Sequence, residues 1–385
     1  MFTRWLSIKG SSTLLLGPRR CGKTTFLKMN FPSYTYATLD DMDLLSLARK
    51  DPKGFVSRLG PRAIIDEIQR HPALTVAVKY AIDNEDAHVL MTGSSSAGLL
   101  DAAGDSLAGR IDIVSLPTAC WGEDAGPPTH RALEDEQDPL EQREAARRLD
   151  QVLRHGLFPE VLTAADDEAR EEILARYKNT YFTRDVMFLA NLENLEAIHS
   201  VLLNVARSLG SRTDATHFAR EAGVSPITAR KYLGSILQSQ LAFRLRGHQF
   251  GPAKRFVKAS KTYFADNGIL GSLSAGPSRG QTVESFVVAE LEKRRKLGFI
   301  AADRLDYSRS VGGREIDVVF EADGVLHAIE IKATAHPTGR DLRNLREFAQ
   351  SFDRPVKSYL FHMGDERVER DGVTFVPITS LYRGR

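Results

Sequence analysis

The 385-residue sequence predicts an α/β protein: a parallel-sheet domain first, a helical middle with a winged-helix-like module, and a second α/β core at the end. Three observations predict it. The apolar run Leu14-Leu15-Leu16 passes through a glycine-bounded loop, Gly17 to Gly22, into the helix start "TTFLKMNF", the strand–loop–helix order of a parallel α/β unit. The segments "EEILARYKNTYF" and "AIHSVLLNVARSL" carry helical patterning. Near the end, "IDVVFEADGVLHAIEIKAT" reads as a β-hairpin turning at Asp323-Gly324.

The first domain is expected over residues 1–120. Gly17 and Gly22-Lys23-Thr24 fit G-x-x-x-x-G-K-[ST] in the context the motif requires. The physical reason is specific. Glycines let the backbone curl so that its N–H groups face phosphate oxygens, and the helix N-terminus adds its positive dipole end. The loop Gly17, Pro18, Arg19, Arg20, Cys21, Gly22, Lys23, Thr24 and Thr25 is therefore expected to cradle ATP. Lys23 reaches the β and γ phosphates, and the Thr24 hydroxyl joins a Mg²⁺ shell. "RAIIDEIQ" adds a buried-strand run that ends in Asp66 and Glu67. Ligand sites of parallel sheets lie at that end, so Asp66 is expected to hold Mg²⁺ and Glu67 to orient or deprotonate water. In "AHVLMTGSSS" the strand end from Thr92 to Ser94 is placed to sense the γ-phosphate, and Arg110 in "LAGRIDIVSLPT" is the candidate finger for transition-state charge.

"GPRRCGKTT", "IIDEIQ", "LMTGSSS" and "LAGRI", in this order, resemble a group of bacterial and archaeal ATPases of the AAA+ superfamily. The resemblance runs almost end to end. It implies a P-loop NTPase domain, a helical lid with a winged-helix-like module, and a C-terminal domain of unknown function with a nuclease-like core. It also implies self-association, because the finger arginine of such ATPases acts across a subunit interface. "HGLFPEVL" and "YFTRDV" are further landmarks, the latter containing Arg184 and Asp185, to which no chemistry is assigned.

Residues 121–195 are expected to form a connector and helical lid. The stretch 121–150 mixes Gly, Pro and acids and reads as a mobile connector or long loop. Residues 196–262 are expected to hold the winged-helix-like module. There Gly223 ends one helix, Ser225 is a natural N-cap, and Pro226 occupies the first helical position of the next. Arg230 and Lys231 on that helix suit phosphates. From Leu241 to Ala265 the chain carries six Lys or Arg and no acid, interleaved with Phe243, Phe250, Phe256, Tyr263 and Phe264. Such a mix suits nucleic acid, DNA more than RNA. The alternative is a lid or interface with aromatics in its core.

Residues 263–385 are expected to form the last core. With Asp323-Gly324 as the turn, Asp317 stands opposite Glu330, and Lys332 shares the face of Glu330. Opposed like charges need a cation between them. Two carboxylates and a lysine on a bent hairpin resemble the PD-(D/E)XK, restriction-endonuclease-like core. The resemblance implies a metal held by Glu284, Asp317 and Glu330, with Lys332 as a catalytic group. The alternative is an ion-pair network without metal. Arg340, Arg343 and Arg346 then lie roughly on one helix face.

The formal charge of +2 is nearly balanced, although Glu134–Glu144 holds six acids and one arginine. Two cysteines, Cys21 and Cys120, form no disulfide framework, and no apolar run is long enough to span a membrane. A cytoplasmic, membrane-free protein is expected. Two functions stand side by side: a Mg²⁺-dependent ATPase acting on nucleic acid, with a nuclease-like end; or an ATP-driven regulatory switch on a protein partner, whose nuclease-like domain is inactive. A small-molecule kinase is disfavoured by the modular chain.

Overall fold

The computed structural model describes residues 2–10, 12–93, 107–179, 194–248, 260–273, 276–310 and 312–385. Ser94, Arg184, Asp185, Phe250 and Phe256 lie outside the described residues. The chain divides into two compact units, Leu6–Thr118 with Gln238–Gln240, and Met1–Trp5 with Ala119–Leu237 and Leu241–Arg385.

The smaller unit is a parallel sheet of five strands among the described residues, β1 (Thr13–Leu16), β2 (Thr35–Thr38), β3 (Arg62–Asp66), β4 (His88–Gly93) and β5 (Asp112–Ser115). Their spatial order is β2-β3-β4-β1-β5. The residues explain the order. β1 is buried along its whole length, as a continuous apolar run in a parallel sheet must be, while β5 has exposed residues at one edge. Among the described residues four helices connect the strands: α1 (Lys23–Asn30), α2 (Met42–Lys50), α3 (Pro52–Leu59) and α4 (Leu74–Asn84). Asp41 caps α2 by accepting from the Asp43 and Leu44 amides, and Asp51 caps α3 at the Gly54 amide. Leu14, Leu16, Leu45, Phe55, Ile65, Val78 and Met91 form the core. The order puts β4 between the motif strand β1 and the carboxylate strand β3, so any side chain at the end of β4 stands between them.

The larger unit starts from helices where a mobile connector was expected. α5 (Pro139–His155) is a 17-residue helix, capped by Asp138 with Pro139 at its first turn. Glu134, Asp135 and Glu136 precede this helix, Asp138 caps it, Glu144 is exposed on it, and Ala145, Leu149 and Val152 are its buried stripe. Trp121 is 0% exposed. The local Gly, Pro and acid content concealed the long period. Then come α6 (Pro159–Leu162), α7 (Asp167–Tyr177), α8 (Leu195–Arg207), α9 (Ala215–Glu221) and α10 (Pro226–Gln238). A short turn joins α9 to α10, and there the Ser225 hydroxyl accepts from the Thr228 amide at 3.0 Å.

β6 (Ala242–Gly247) and β7 (Ser260–Phe264) pair antiparallel as a wing does, but β6 also pairs with β8 (Asp306–Arg309). The hairpin thereby becomes the end of an eight-stranded sheet, ordered β12-β13-β11-β10-β9-β8-β6-β7 among the described residues. Its other strands are β9 (Glu315–Ala322), β10 (Val325–Ile331), β11 (Val356–His362), β12 (Val368–Arg370) and β13 (Val373–Pro377). α11 (Asn267–Ser272) and α12 (Arg279–Lys296) precede β8, and α13 (Gly339–Gln350) precedes β11. Ile329 and Ile331 join the core that includes Val283, Phe286 and Val287 of α12. Leu326 and Ala328 join Leu342 and Leu345 of α13 in a second core. Helices thus cover both faces of β10, and Glu330 continues the row of Leu326 and Ala328 by alternation.

Candidate functional site

In the smaller unit the loop after β1 is shaped by contacts that only its residues allow. A Cβ on Gly17 would lie 2.2 Å from the Leu116 carbonyl oxygen. Gly22 has φ 94°, a left-handed conformation that suits glycine, and caps α1. Lys23, the first residue of α1, is 6% exposed. Its ammonium donates to the carbonyl oxygens of Gly17 and Pro18 at 2.9 Å each. A buried cation held by carbonyl dipoles, with no carboxylate ion pair among the described residues, is a site for an anion. Pro18 and Cys21 are buried, whereas Arg20 and Thr25 face solvent.

Asp66, 5% exposed, ends β3. The Thr24 hydroxyl donates to its Oδ2 at 2.9 Å, and so does the Tyr36 hydroxyl at 2.8 Å. The Thr92 hydroxyl donates to its Oδ1, and Thr92 also accepts from the Glu67 amide at 3.2 Å. Three hydroxyls from β2, β4 and α1 therefore converge on one carboxylate that has no cation in contact among the described residues. This donor set fits a hard cation: hydroxyl and carboxylate oxygens are the ligands magnesium takes. Glu67 follows with φ 58° and hydrogen-bonds the Gln69 amide through its side chain. That left-handed kink turns the carboxylate away from the strand direction of Asp66.

Tyr36 escaped the sequence reading. Burial, then the Asp66 carboxylate, raise its phenol pKa, and the Lys28 ammonium lies 3.5 Å from its ring centroid. "YTYAT" marks a strand but carries no signal of which strand it joins. Arg110 is half-buried and pairs with Asp83 at 2.7 Å. β1 and β5 run parallel, Thr13 beside Asp112 and Leu16 beside Ser115. Arg110 therefore precedes its strand at the sheet edge opposite the loop after Leu16. Within one chain it does not reach the phosphate loop.

In the larger unit the hairpin turns at Asp323-Gly324, with Ala322 beside Val325 as expected. The ladder ends at Val318 beside Ile329. The direct pair Asp317–Glu330 is not made, because the register shifts on β9 between its pairings with Asp306 and Ser308. Asp317 Oδ2 instead accepts the Ile331 amide at 2.9 Å. Lys332 donates to Glu330 Oε1 at 2.7 Å, as same-face neighbours do. Glu284 on α12 accepts from the Tyr263 hydroxyl at 2.6 Å. Burial, then the charges of Glu330 and Glu284, push the Asp317 carboxyl well above the usual carboxylate range, and burial raises Glu330 as well.

Lys261 is the residue that sequence reading missed here. It is 1% exposed, and its ammonium lies 2.5 Å from Glu315 Oε1, 3.6 Å from Glu284 Oε1 and 3.8 Å from Asp317 Oδ1. Burial pulls its pKa down, but the charges of Asp317, Glu284 and Glu315 outweigh that and raise it. No group of three His, Cys, Asp or Glu side chains among the described residues is arranged to hold a metal. Of the three carboxylates expected to hold a metal, Glu284 and Asp317 have the Lys261 ammonium beside them and Glu330 has that of Lys332. On α13, Arg343 pairs with Glu347 at 2.9 Å and Arg346 pairs with Asp371. Arg230 and Lys231 on α10 are exposed.

Comparison with known proteins gives three consecutive family matches. A model described as an AAA domain matches residues 9–123. Two described as domains of unknown function match residues 146–279 (DUF8612) and 279–381 (DUF4143). An uncharacterized protein of Mycobacterium tuberculosis is 29% identical over 346 residues, 86% of this chain and 72% of the relative. One of Methanocaldococcus jannaschii is 24% identical over 309 residues, 76% of this chain and 68% of the relative. Two solved structures are similar at low TM-scores, at which neither bears on the fold. A signal transduction ATPase with numerous domains (STAND) from Pyrococcus horikoshii has a TM-score of 0.20 and 11% identity over 74% of this chain and 43% of that one. A Vibrio cholerae protein has a TM-score of 0.22 and 11% identity over 96% and 95%. No helix among the described residues is long and apolar enough to cross a membrane. The chain carries a P-loop, AAA-type domain followed by two domains of unknown function.

Proposed function

We propose that the smaller unit binds ATP with Mg²⁺ and hydrolyses it. The observation that carries this reading is the meeting of Thr24 with Asp66 at 2.9 Å beside a Lys23 ammonium held by the Gly17 and Pro18 carbonyls and the Cys21 sulfur. Lys23 would take the β and γ phosphates, and Thr24 and Asp66 the metal. Bound there, Mg²⁺ supplies electrostatic stabilisation of phosphate charge. Glu67 orients or deprotonates water, and Thr92 at the end of β4, with Ser94 following it in sequence, reads the γ-phosphate. Purified protein with Glu67→Gln should bind ATP as the wild type does but hydrolyse it about 10²–10⁴-fold more slowly, the range of a general base. Lys23→Ala should lose ATP binding. Folded protein with no Mg²⁺-dependent affinity for ATP would end this reading.

Arg110 supports a finger role across subunits, since its own loop is out of reach. ATP should then drive self-association, and a monomer with normal turnover after Arg110→Ala would refute it. The exposed Arg230 and Lys231 on α10 favour a nucleic-acid partner, DNA before RNA. Binding to duplex DNA should weaken steeply with salt, and the slope should fall by about one for each of these cations removed. Salt-insensitive or absent binding, with ATPase activity stimulated by a protein instead, would favour the regulatory switch. The two free, buried cysteines suit a reducing cytoplasm.

A further inference from the structure

The carboxylates of the larger unit are gathered as a metal site would gather them, yet a side chain already supplies the cation. Glu284, Glu315 and Asp317 each lie within 4 Å of the Lys261 ammonium. Glu330 Oε1 is held by Lys332. Glu315 also meets Arg309 at 3.1 Å. Four carboxylates face three cations, Lys261, Lys332 and Arg309, so the cations already cancel all but one of the negative charges the four would carry if every one were ionised. Glu330 is 5% exposed, and its Oε2 is buried without a hydrogen-bond partner among the described residues. A partnerless buried carboxylate oxygen at such a cluster is where a metal or a proton is missing. A divalent ion added beside Lys261 would reverse the charge excess and place like charges together at low solvent exposure. Entry of a metal therefore requires the ammonium, on a lysine 1% exposed, to leave its three carboxylate neighbours, which would strip the cluster of that cation.

We propose that Lys261 is the resident cation of this cluster and excludes divalent metal from it, so that the larger unit works without metal and becomes a metal site only when that ammonium is removed. The ring of Tyr307, with its centroid 5.4 Å from the Lys261 nitrogen, adds to the hold on the ammonium.

The experiment uses the full chain without nucleotide and Mn²⁺ alone as the probe. Mn²⁺ binding is followed by electron paramagnetic resonance for the wild type, Lys261→Met, Asp317→Asn and the double variant Lys261→Met/Asp317→Asn. Lys261→Met should gain one Mn²⁺ equivalent, bound at least about tenfold more tightly than anything in the wild type. The double variant should lose it, which separates this site from any Mn²⁺ at Asp66. A wild-type equivalent that Asp317→Asn abolishes overturns the proposal, as does a folded Lys261→Met that binds none. If Lys261→Met does not fold, the wild type decides. Any rise of its thermal midpoint in Mn²⁺ over chelator should persist in Asp317→Asn, and a rise that Asp317→Asn abolishes overturns the proposal. Neither outcome depends on ATP binding at Lys23.

Discussion

Asp66 and Asp317 are both strand aspartates within covered parallel or mixed sheets, and their surroundings differ in kind. Asp66 is held by three neutral hydroxyls, from Thr24, Tyr36 and Thr92. Its charge is solvated by dipoles but not cancelled, so it remains available to a cation. Asp317 is held by the Ile331 amide and by the buried ammonium of Lys261, and it is crowded by Glu330 and Glu284. Its cation is covalently attached to the chain. The difference teaches that counting carboxylates does not find a metal site. What decides is whether the charge is already cancelled from within.

The comparison breaks most sharply at Lys261. Lys261→Ala should destabilise the larger unit by about 3–5 kcal/mol, because it strands buried carboxylates. Tyr36→Phe, its counterpart beside Asp66, removes only one neutral donor and should cost about 1 kcal/mol. Urea unfolding of each variant measures both, and similar losses would erase the distinction drawn here.

Acidity sharpens the same contrast. The folded-state pKa of Asp317 is raised, so between the ordinary carboxylate pKa of about 4 and that raised value the folded chain binds more protons than the unfolded one. Its contribution to stability is then fully present below the ordinary value and is lost as pH rises toward the folded one. Wild type should therefore lose stability with rising pH relative to Asp317→Asn, in which the group cannot ionise. Parallel pH profiles of the two proteins would contradict the crowding of Asp317. The smallest effect concerns α10. Arg230→Ala should lower the salt slope of duplex DNA binding by about one without altering the unfolding midpoint, since the side chain is exposed. An unchanged slope would remove that residue from the DNA contact.

The sequence by itself determined the smaller unit's site wherever the chemistry is contiguous. Gly17 to Thr24 is one loop, its glycines are demanded by backbone geometry within that loop, and Asp66 announces itself as the polar end of an apolar strand. Local signals also found the Asp323-Gly324 turn and the start of α10 at Pro226. Only the tertiary structure decided that Tyr36 joins Thr24 and Thr92 around Asp66, because strand order is not written in any one segment. It decided that the acids of 134–144 lead into a helix, since an amphipathic stripe is recognised only against the core it meets. It decided, above all, that Lys261 enters the carboxylate cluster. A lysine in a basic stretch reads as a surface cation, and burial reverses that meaning: charge placement in a folded chain is set by which distant strands share a sheet, and pairing between distant strands leaves no periodic trace in sequence.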